Sequence, residues 1–274
     1  MKPKRDYSNI LLVLIFLIGL CVLLYPTVSD YWNSRVQSRA IVNYETILSN
    51  MTPKDYSDVF AAADNYNDQI RRIEYPLMYH DQVPGYFDTL DITGTGIMGY
   101  ITIEKISVEL PIYHGTEESV LNVAAGHVQG TSLPVGGSST HSVLSAHRGL
   151  PSARLFTDLD RLQPGDVFTI TVLDRVLTYQ IDQILIVKPH EVDALYVTEG
   201  EDYCTLVTCT PYGINTHRML VRGIRVDTPT EKNIYITTDA YRIDSLILTP
   251  IVAAPILLIL LVILLVRHPS KKKK

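Results

Sequence analysis

Two long apolar runs bracket this chain and decide what it can fold into. From Tyr7 to Ser29 there are 23 residues without a charge, and from Ser245 to Val266 there are 22. About 20 apolar residues in a helix are enough to cross a bilayer. Lys2, Lys4 and Arg5 precede the first run, and Arg267 and Lys271 to Lys274 follow the second. Basic flanks stay on the cytoplasmic side, so the expectation is two spans with both termini inside and the middle outside. The first run is expected to remain as an anchor. Its apolar stretch from Ile10 to Tyr25 is long, and Tyr25 to Asp30 has no small-residue cleavage site. Pro250 and Pro255 would kink the second run without excluding a span. A buried core helix is the alternative for that run, and the closing lysines argue against it.

The runs also explain the composition. Hydrophobic residues make up 46% of 274 and charged residues 19%, and the mean hydropathy is +0.12. The tails hold eight of the 24 basic residues and one of the 29 acids, which leaves 16 basic against 28 acidic residues elsewhere. The net charge of −5 therefore hides an acidic outer region. Nucleic acid is excluded as a partner, because phosphate binding needs clustered Lys and Arg.

Between the runs the periodicity changes. Residues 30 to about 72 read as helix, with Val36, Ala40, Tyr44 and Leu48 at intervals of four and Val59, Ala63 and Ile70 loosely continuing the stripe. Asn50-Met51-Thr52-Pro53 breaks it, and Thr52 followed by Asp55 predicts a new helix start. Residues 73 to 98, with Pro76, Pro84, Gly85, Gly94 and Gly96, read as loop. From residue 99 the period is two. Strands are expected at 99–106, 109–114, 141–146, 166–173, 176–187, 204–210 and 217–226, with a hairpin connection at Asp174-Arg175. Short strands with frequent turns over 99–227 predict a closed or nearly closed β-barrel.

Three cysteines are present: Cys21 in the first apolar run, and Cys204 and Cys209 in one predicted strand. Five residues apart, the latter two face opposite sides and do not form a disulfide. Cys209 ends a β-branched run, Thr205-Leu206-Val207-Thr208-Cys209, just before Thr210-Pro211. At a barrel rim such a thiol is either a buried structural group or a nucleophile. If the last two strands are antiparallel neighbours, Arg218 lies almost opposite Cys209. It is then a surface arginine, or a cation that lowers the thiol pKa or meets a developing oxyanion. His147 follows an apolar strand and precedes Gly149, so it too sits at a strand end, where it could donate a proton. His127 and His141 are its rivals, and His217 faces away from Arg218 by alternation. Ser145 and Arg148 flank His147 and could position it; Thr208 could orient a substrate. Cys204, Cys209 and His217 match no zinc spacing, and no phosphate-binding glycine motif is present.

The TLxTC run around Cys209, with His147 upstream and Arg218 downstream, resembles the sortases, the cysteine transpeptidases of Gram-positive cell surfaces. The similarity is to class C, the pilus-assembling class. It extends over Met98 to Ile101, Leu110 to Thr116, Gly130 to Gly137, Ser142 to Pro151 and Thr208 to Arg218. The resemblance implies an eight-stranded barrel with N-terminal helices. Cys209 would be the nucleophile on an LPxTG-like sorting signal, His147 the general acid and base, and Arg218 the oxyanion or substrate stabiliser. It implies as acceptor a pilin lysine amine, and no cofactor or metal. Some sortases use calcium, but no matching cluster is found; Asp158 and Asp160 are expected to face solvent. The implied division is 1–29 tail and anchor, 30–98 helices and a lid-equivalent loop, 99–230 barrel, 231–244 linker, 245–266 second span and 267–274 tail. Many class C enzymes cover the cysteine with a lid bearing Asp-Pro-aromatic. Here Glu74 to Asp81 has the proline and aromatics without that motif, so a more open groove is expected. Two other roles are consistent with the chain: anchoring proteins to a cell-wall precursor, or a silent membrane-anchored scaffold.

Overall fold

The computed structural model describes residues 8–228 and 253–263. By internal contacts the chain divides into two units, one of Met1–Trp32 with Asn233–Lys274 and one of Asn33–Lys232. In the first unit, helix α1 (Ser8–Leu48) begins with an apolar stretch none of which is buried. It is long and apolar enough to cross a membrane. Of the second apolar run, Ala253–Ile263 is helical, which is too short for a span by itself; the rest of 245–266, the linker at 231–244 and the tail at 267–274 lie outside the described residues. Among the described residues one spanning helix is found, not the expected two.

The second unit is a closed eight-stranded barrel. Its strands are β1 (Ile97–Ile103), β2 (Val108–His114), β3 (Ala125–His127), β4 (Thr140–Ser145), β5 (Val167–Val172), β6 (Arg175–Val187), β7 (Asp202–Thr210) and β8 (His217–Val226). Around the barrel they run β1-β2-β3-β4-β7-β8-β6-β5. Two pairs are parallel, β2 with β3 and β4 with β7; the others are antiparallel. Alternation fills the interior with Ile101, Ile103, Ile112, Leu144, Phe168, Ile170, Leu206 and Val221, all buried.

The helices brace this barrel. The capping box foreseen at Thr52 and Asp55 is formed, with Pro53 opening α2 (Pro53–Ile70). Phe60, Ala63, Tyr66 and Ile70 of α2 enter the core. Asn67 pairs with both backbone groups of Leu133, its Nδ2 donating to the carbonyl and its Oδ1 accepting from the amide. On α1 the buried stripe is Gln37, Ile41 and Tyr44; Val36, expected in the stripe, is exposed. Tyr44 is buried as expected, whereas Gln37 and Ile41, one position on from Val36 and Ala40, take the buried places there. Tyr44 donates its hydroxyl to the Met98 carbonyl at 3.0 Å and accepts the Leu173 amide at 2.8 Å. Leu173, with φ +51°, and Asp174 form the two-residue β5–β6 turn, one position before the expected one. A branched side chain rarely adopts that backbone, and the Tyr44 bond helps hold it.

The stretch expected to be loop contains helical turns: α3 (Pro76–Tyr79), then a 3₁₀ turn at His80–Gln82. Tyr86 anchors its end. Its hydroxyl lies 2.9 Å from His127 Nδ1 and 3.0 Å from the His127 carbonyl, and it accepts the Gly115 amide at 2.9 Å.

Replacing Tyr44 with Phe should leave the buried Leu173 amide and Met98 carbonyl without a partner. The expected loss is about 1–3 kcal/mol in denaturant unfolding of the barrel. A second prediction concerns acid. Burial pushes the His127 imidazole down to about 4. The unfolded chain binds a proton near pH 6.5 that the native one refuses, so stability should fall as pH drops from about 6.5 toward 4. The slope should approach about 1.4 kcal/mol per pH unit from this residue, and it should shrink in His127→Gln.

Candidate active site

Three adjoining strands bring the predicted residues together. In the β7–β8 ladder Cys209 is the partner of Arg218. Side chains directly opposite in such a pair are neighbours on one face, about 5 Å apart at Cβ. On the other side of β7, strand β4 runs parallel to it, with Ser145 level with Val207. The contact continues past the strand end. The Ala146 amide donates to the Val207 carbonyl at 3.2 Å, and Thr208 Oγ1 donates to the Ala146 carbonyl at 2.8 Å. Carried one step further, the same register would set His147 level with Cys209. Both residues, and Arg218, are half-buried.

Alternation separates the two barrel thiols. Cys204, Leu206 and Thr208 turn into the core, while Val207 and Cys209 face the opposite side. Full burial pushes the Cys204 thiol well up and keeps it protonated. No disulfide joins it to Cys209; both are free.

The rival histidines have structural duties. His127 is fully buried and hydrogen-bonded to Tyr86 and to the Ser132 carbonyl. His141 lies within 3.0 Å of the Tyr196 carbonyl at Nδ1 and 2.7 Å of Thr205 Oγ1 at Nε2, and burial lowers its imidazole. The Thr216 hydroxyl meets His217 Nδ1 at 3.0 Å. Arg218 Nη1 donates to the carbonyls of Asn215 and His217 at 3.2 and 3.1 Å, neutral contacts that leave its charge uncompensated by them.

The segment carrying His147 is stitched from several sides. The Phe156 amide donates to the His147 carbonyl at 3.1 Å, and the Gly149 amide donates to Thr157 Oγ1 at 3.1 Å. Gly149 has φ +77°, and a Cβ there would lie 2.9 Å from the ring of Tyr212. The loops on either side of the thiol therefore touch. Tyr212 and Ile214 are exposed on the β7–β8 loop that follows Cys209. Arg148 pairs with Asp160 and also reaches Thr210. Asp158 binds Arg154 and Arg161 and is mostly buried, so the expectation that it faces solvent is corrected. Asp160 is ion-paired although half-exposed. The long-range pairing with Thr210 carries no sequence spacing that could have revealed it. No group of three or more His, Cys, Asp or Glu suited to a metal is found among the described residues.

The stretch from Glu74 to Asp81 packs against the loop that carries Gly130. Gly130, at φ +92°, takes the backbone of Pro76 and Leu77 so closely that a Cβ would meet the Pro76 oxygen at 2.5 Å. With Ile70, Ser132, His141 and Tyr196, these residues wall a pocket of about 580 Å³. The segment of residues 73–86 thus begins near His141 at the start of β4, while Tyr86 at its close bonds His127, which is level with Leu144 near the other end of that strand.

Comparison with known proteins identifies the fold. The sortase domain model matches residues 101–226. The crystal structure of sortase C1 from Streptococcus agalactiae is 49% identical, with TM-score 0.66, covering 69% of this chain and 99% of that one. Sortase C from Streptococcus pneumoniae is 41% identical, with TM-score 0.63, covering 69% of this chain and 97% of that one. Sortase A of S. agalactiae serotype III is 32% identical over 117 residues, 42% of this chain and 47% of the relative, so the chain matches just under half of that protein. With the same barrel and a match along nearly the whole of solved class C structures, the chain belongs to the sortases, a family of cysteine transpeptidases.

Proposed function

We propose that this chain is a membrane-anchored pilus sortase. The observation that carries the reading is the pairing of Cys209 with Arg218 across β7 and β8, with His147 brought level by the parallel strand β4. Cys209 attacks the Thr carbonyl of an LPxTG-like sorting signal, and Arg218 stabilises the oxyanion or holds the substrate. His147 gives its proton to the departing Gly amine, leaving a thioacyl-enzyme. A lysine amine of the next pilin subunit, deprotonated by His147, then takes the acyl group and frees the thiol. The rim of Tyr212 and Ile214 supplies apolar surface for the signal and limits water, the competing nucleophile. Two neighbours support the pilin reading: the S. pneumoniae structure is described in terms of pilin substrate specificity, and another belongs to a pilus island of group B streptococcus.

In this reading α1 anchors the barrel and the run from Ser245 to Val266 is a second span. The basic ends lie inside and the catalytic unit outside. The segment of residues 73–86 is a brace rather than a lid, because Val83 and Tyr86 are part of the core and its close contacts are with Gly130, His127 and Gly115. Removing all of it would therefore damage the fold.

The test uses the full chain in detergent micelles with LPxTG-type peptides. Intact mass should show an acyl adduct that an added lysine amine resolves and that Cys209→Ala abolishes. His147→Ala should slow acylation about 10²–10⁴-fold, and Arg218→Ala about 10²–10³-fold. An adduct persisting in Cys209→Ala would sink the assignment. Separately, replacing residues 75–79 with Gly and Ser should leave the reaction of Cys209 with a thiol reagent unchanged; a large rise would show that the segment covers the thiol.

A further inference from the structure

Arg148 stands beside His147, and its surroundings give it more than a neighbour's role. Its side chain is only 9% exposed, which is unusual for an arginine one residue from an enzyme cleft. Three features define its setting. Nη2 donates to the carboxylate of Asp160. Nη1 donates to Thr210 Oγ1 at 3.3 Å, and Thr210 directly follows Cys209. Nε is buried without a hydrogen-bond partner.

Asp160 offers a fixed base. It lies on the 3₁₀ turn Leu159–Arg161, whose Leu159 is fully buried, with Phe156 and Leu162 buried on either side. The same stretch holds the His147 backbone through the Phe156 amide. The guanidinium thus joins three parts: a turn rooted in the core, the segment that carries His147, and the strand end that carries Cys209. A planar cation with several donors in a fixed fork suits such a junction, and an ammonium does not. Its charge is met by a carboxylate, whereas the bonds of Arg218 go to neutral carbonyls. The two arginines near the thiol are therefore not equivalent.

We propose that Arg148, held by Asp160, is a positioning residue that sets His147 in register with Cys209 by tying its segment to Thr210. This inference rests on the transpeptidase reading above and names a further participant in it. A displacement of about 1 Å between reacting groups can cost about a hundredfold in rate. Buried hydrogen-bonded charges lose most when a single partner is removed. Asp160, at 45% exposure, can be neutralised with little damage to packing.

The experiment compares Arg148→Ala, Arg148→Lys, Asp160→Asn and the Arg148→Ala/Asp160→Asn double variant with the wild type, all as full chains in micelles. Arg161→Ala, which removes an exposed arginine paired with Asp158 beside the same turn, is the control. Acylation by an LPxTG-type peptide should show kcat lowered about ten- to a hundredfold in Arg148→Ala, with KM nearly unchanged. Asp160→Asn should lose a similar factor, and the double variant should be no worse than Arg148→Ala, because the pair acts as a unit. Arg148→Lys should recover only part of the rate, and Arg161→Ala should match wild type. Amide exchange over 146–157 should quicken in Arg148→Ala and Asp160→Asn but not in the control. Unchanged kcat, a loss confined to KM, or additive effects would overturn the proposal. Should the wild type itself form no adduct, the transpeptidase reading falls, and exchange still decides: unaltered protection of 146–157 in Asp160→Asn would remove the clamp.

Discussion

Adjacent strands that run parallel must finish at the same rim of a sheet, and this constraint organises the molecule. Strand β7 has β4 parallel on one side and β8 antiparallel on the other. Parallel pairing carries the chain that leaves β4 toward the end of β7, where Cys209 is the next-to-last residue. Antiparallel pairing returns the start of β8 to the same level. The thiol and the guanidinium are thus paired by strand direction, and the loop that carries His147 starts from the same rim. The histidine and the arginine approach the thiol from opposite sides, which suits a reaction that needs a proton donor toward one substituent of a carbonyl and a cation toward another.

The helices and the 73–86 segment brace the wall, and at Tyr86 they do so near the His147 end of β4, since His127 is level with Leu144. Asn67 completes the backbone of Leu133, Tyr86 joins Gly115 to His127, and His141 ties the β6–β7 connection to Thr205. These contacts are buried and fully paired, so they are costly to open. The rim near Cys209, by contrast, exposes Tyr212 and Ile214. A well-braced wall with an exposed loop beside it lets extended peptides enter without unfolding the barrel.

Much of this could be read from residues alone, and the failures are instructive. The Thr52–Asp55 cap, the β-rich runs and the neighbouring of Cys209 and Arg218 depend on local chemistry or short connections, so the chain shows them. Strand β3 is only three residues long, Ala125–His127, too short for alternation to register. The β5–β6 turn was misplaced because Leu173 is a poor residue for positive φ, and what stabilises it is Tyr44, 129 positions away. The parallel pairing of β4 with β7, and the reach of Arg148 to Thr210, have no periodic signature for the same reason. His147 stood out among eight histidines only weakly from its strand-end place, and the burial that sets His127 and His141 apart is not displayed by sequence.

The placement of the two barrel thiols has a consequence for oxidation. Cys204 and Cys209 lie on opposite faces of one strand, with Cys204 wholly in the core. An internal disulfide would require one of them to pass through the sheet, so no such lock is open to the barrel. When Cys209 meets an oxidant, its first products are a sulfenic acid or a mixed disulfide with a small thiol. Both return to the free thiol when a reductant arrives. Keeping the second sulfur on the far side of the wall therefore makes mild oxidative damage at this rim repairable.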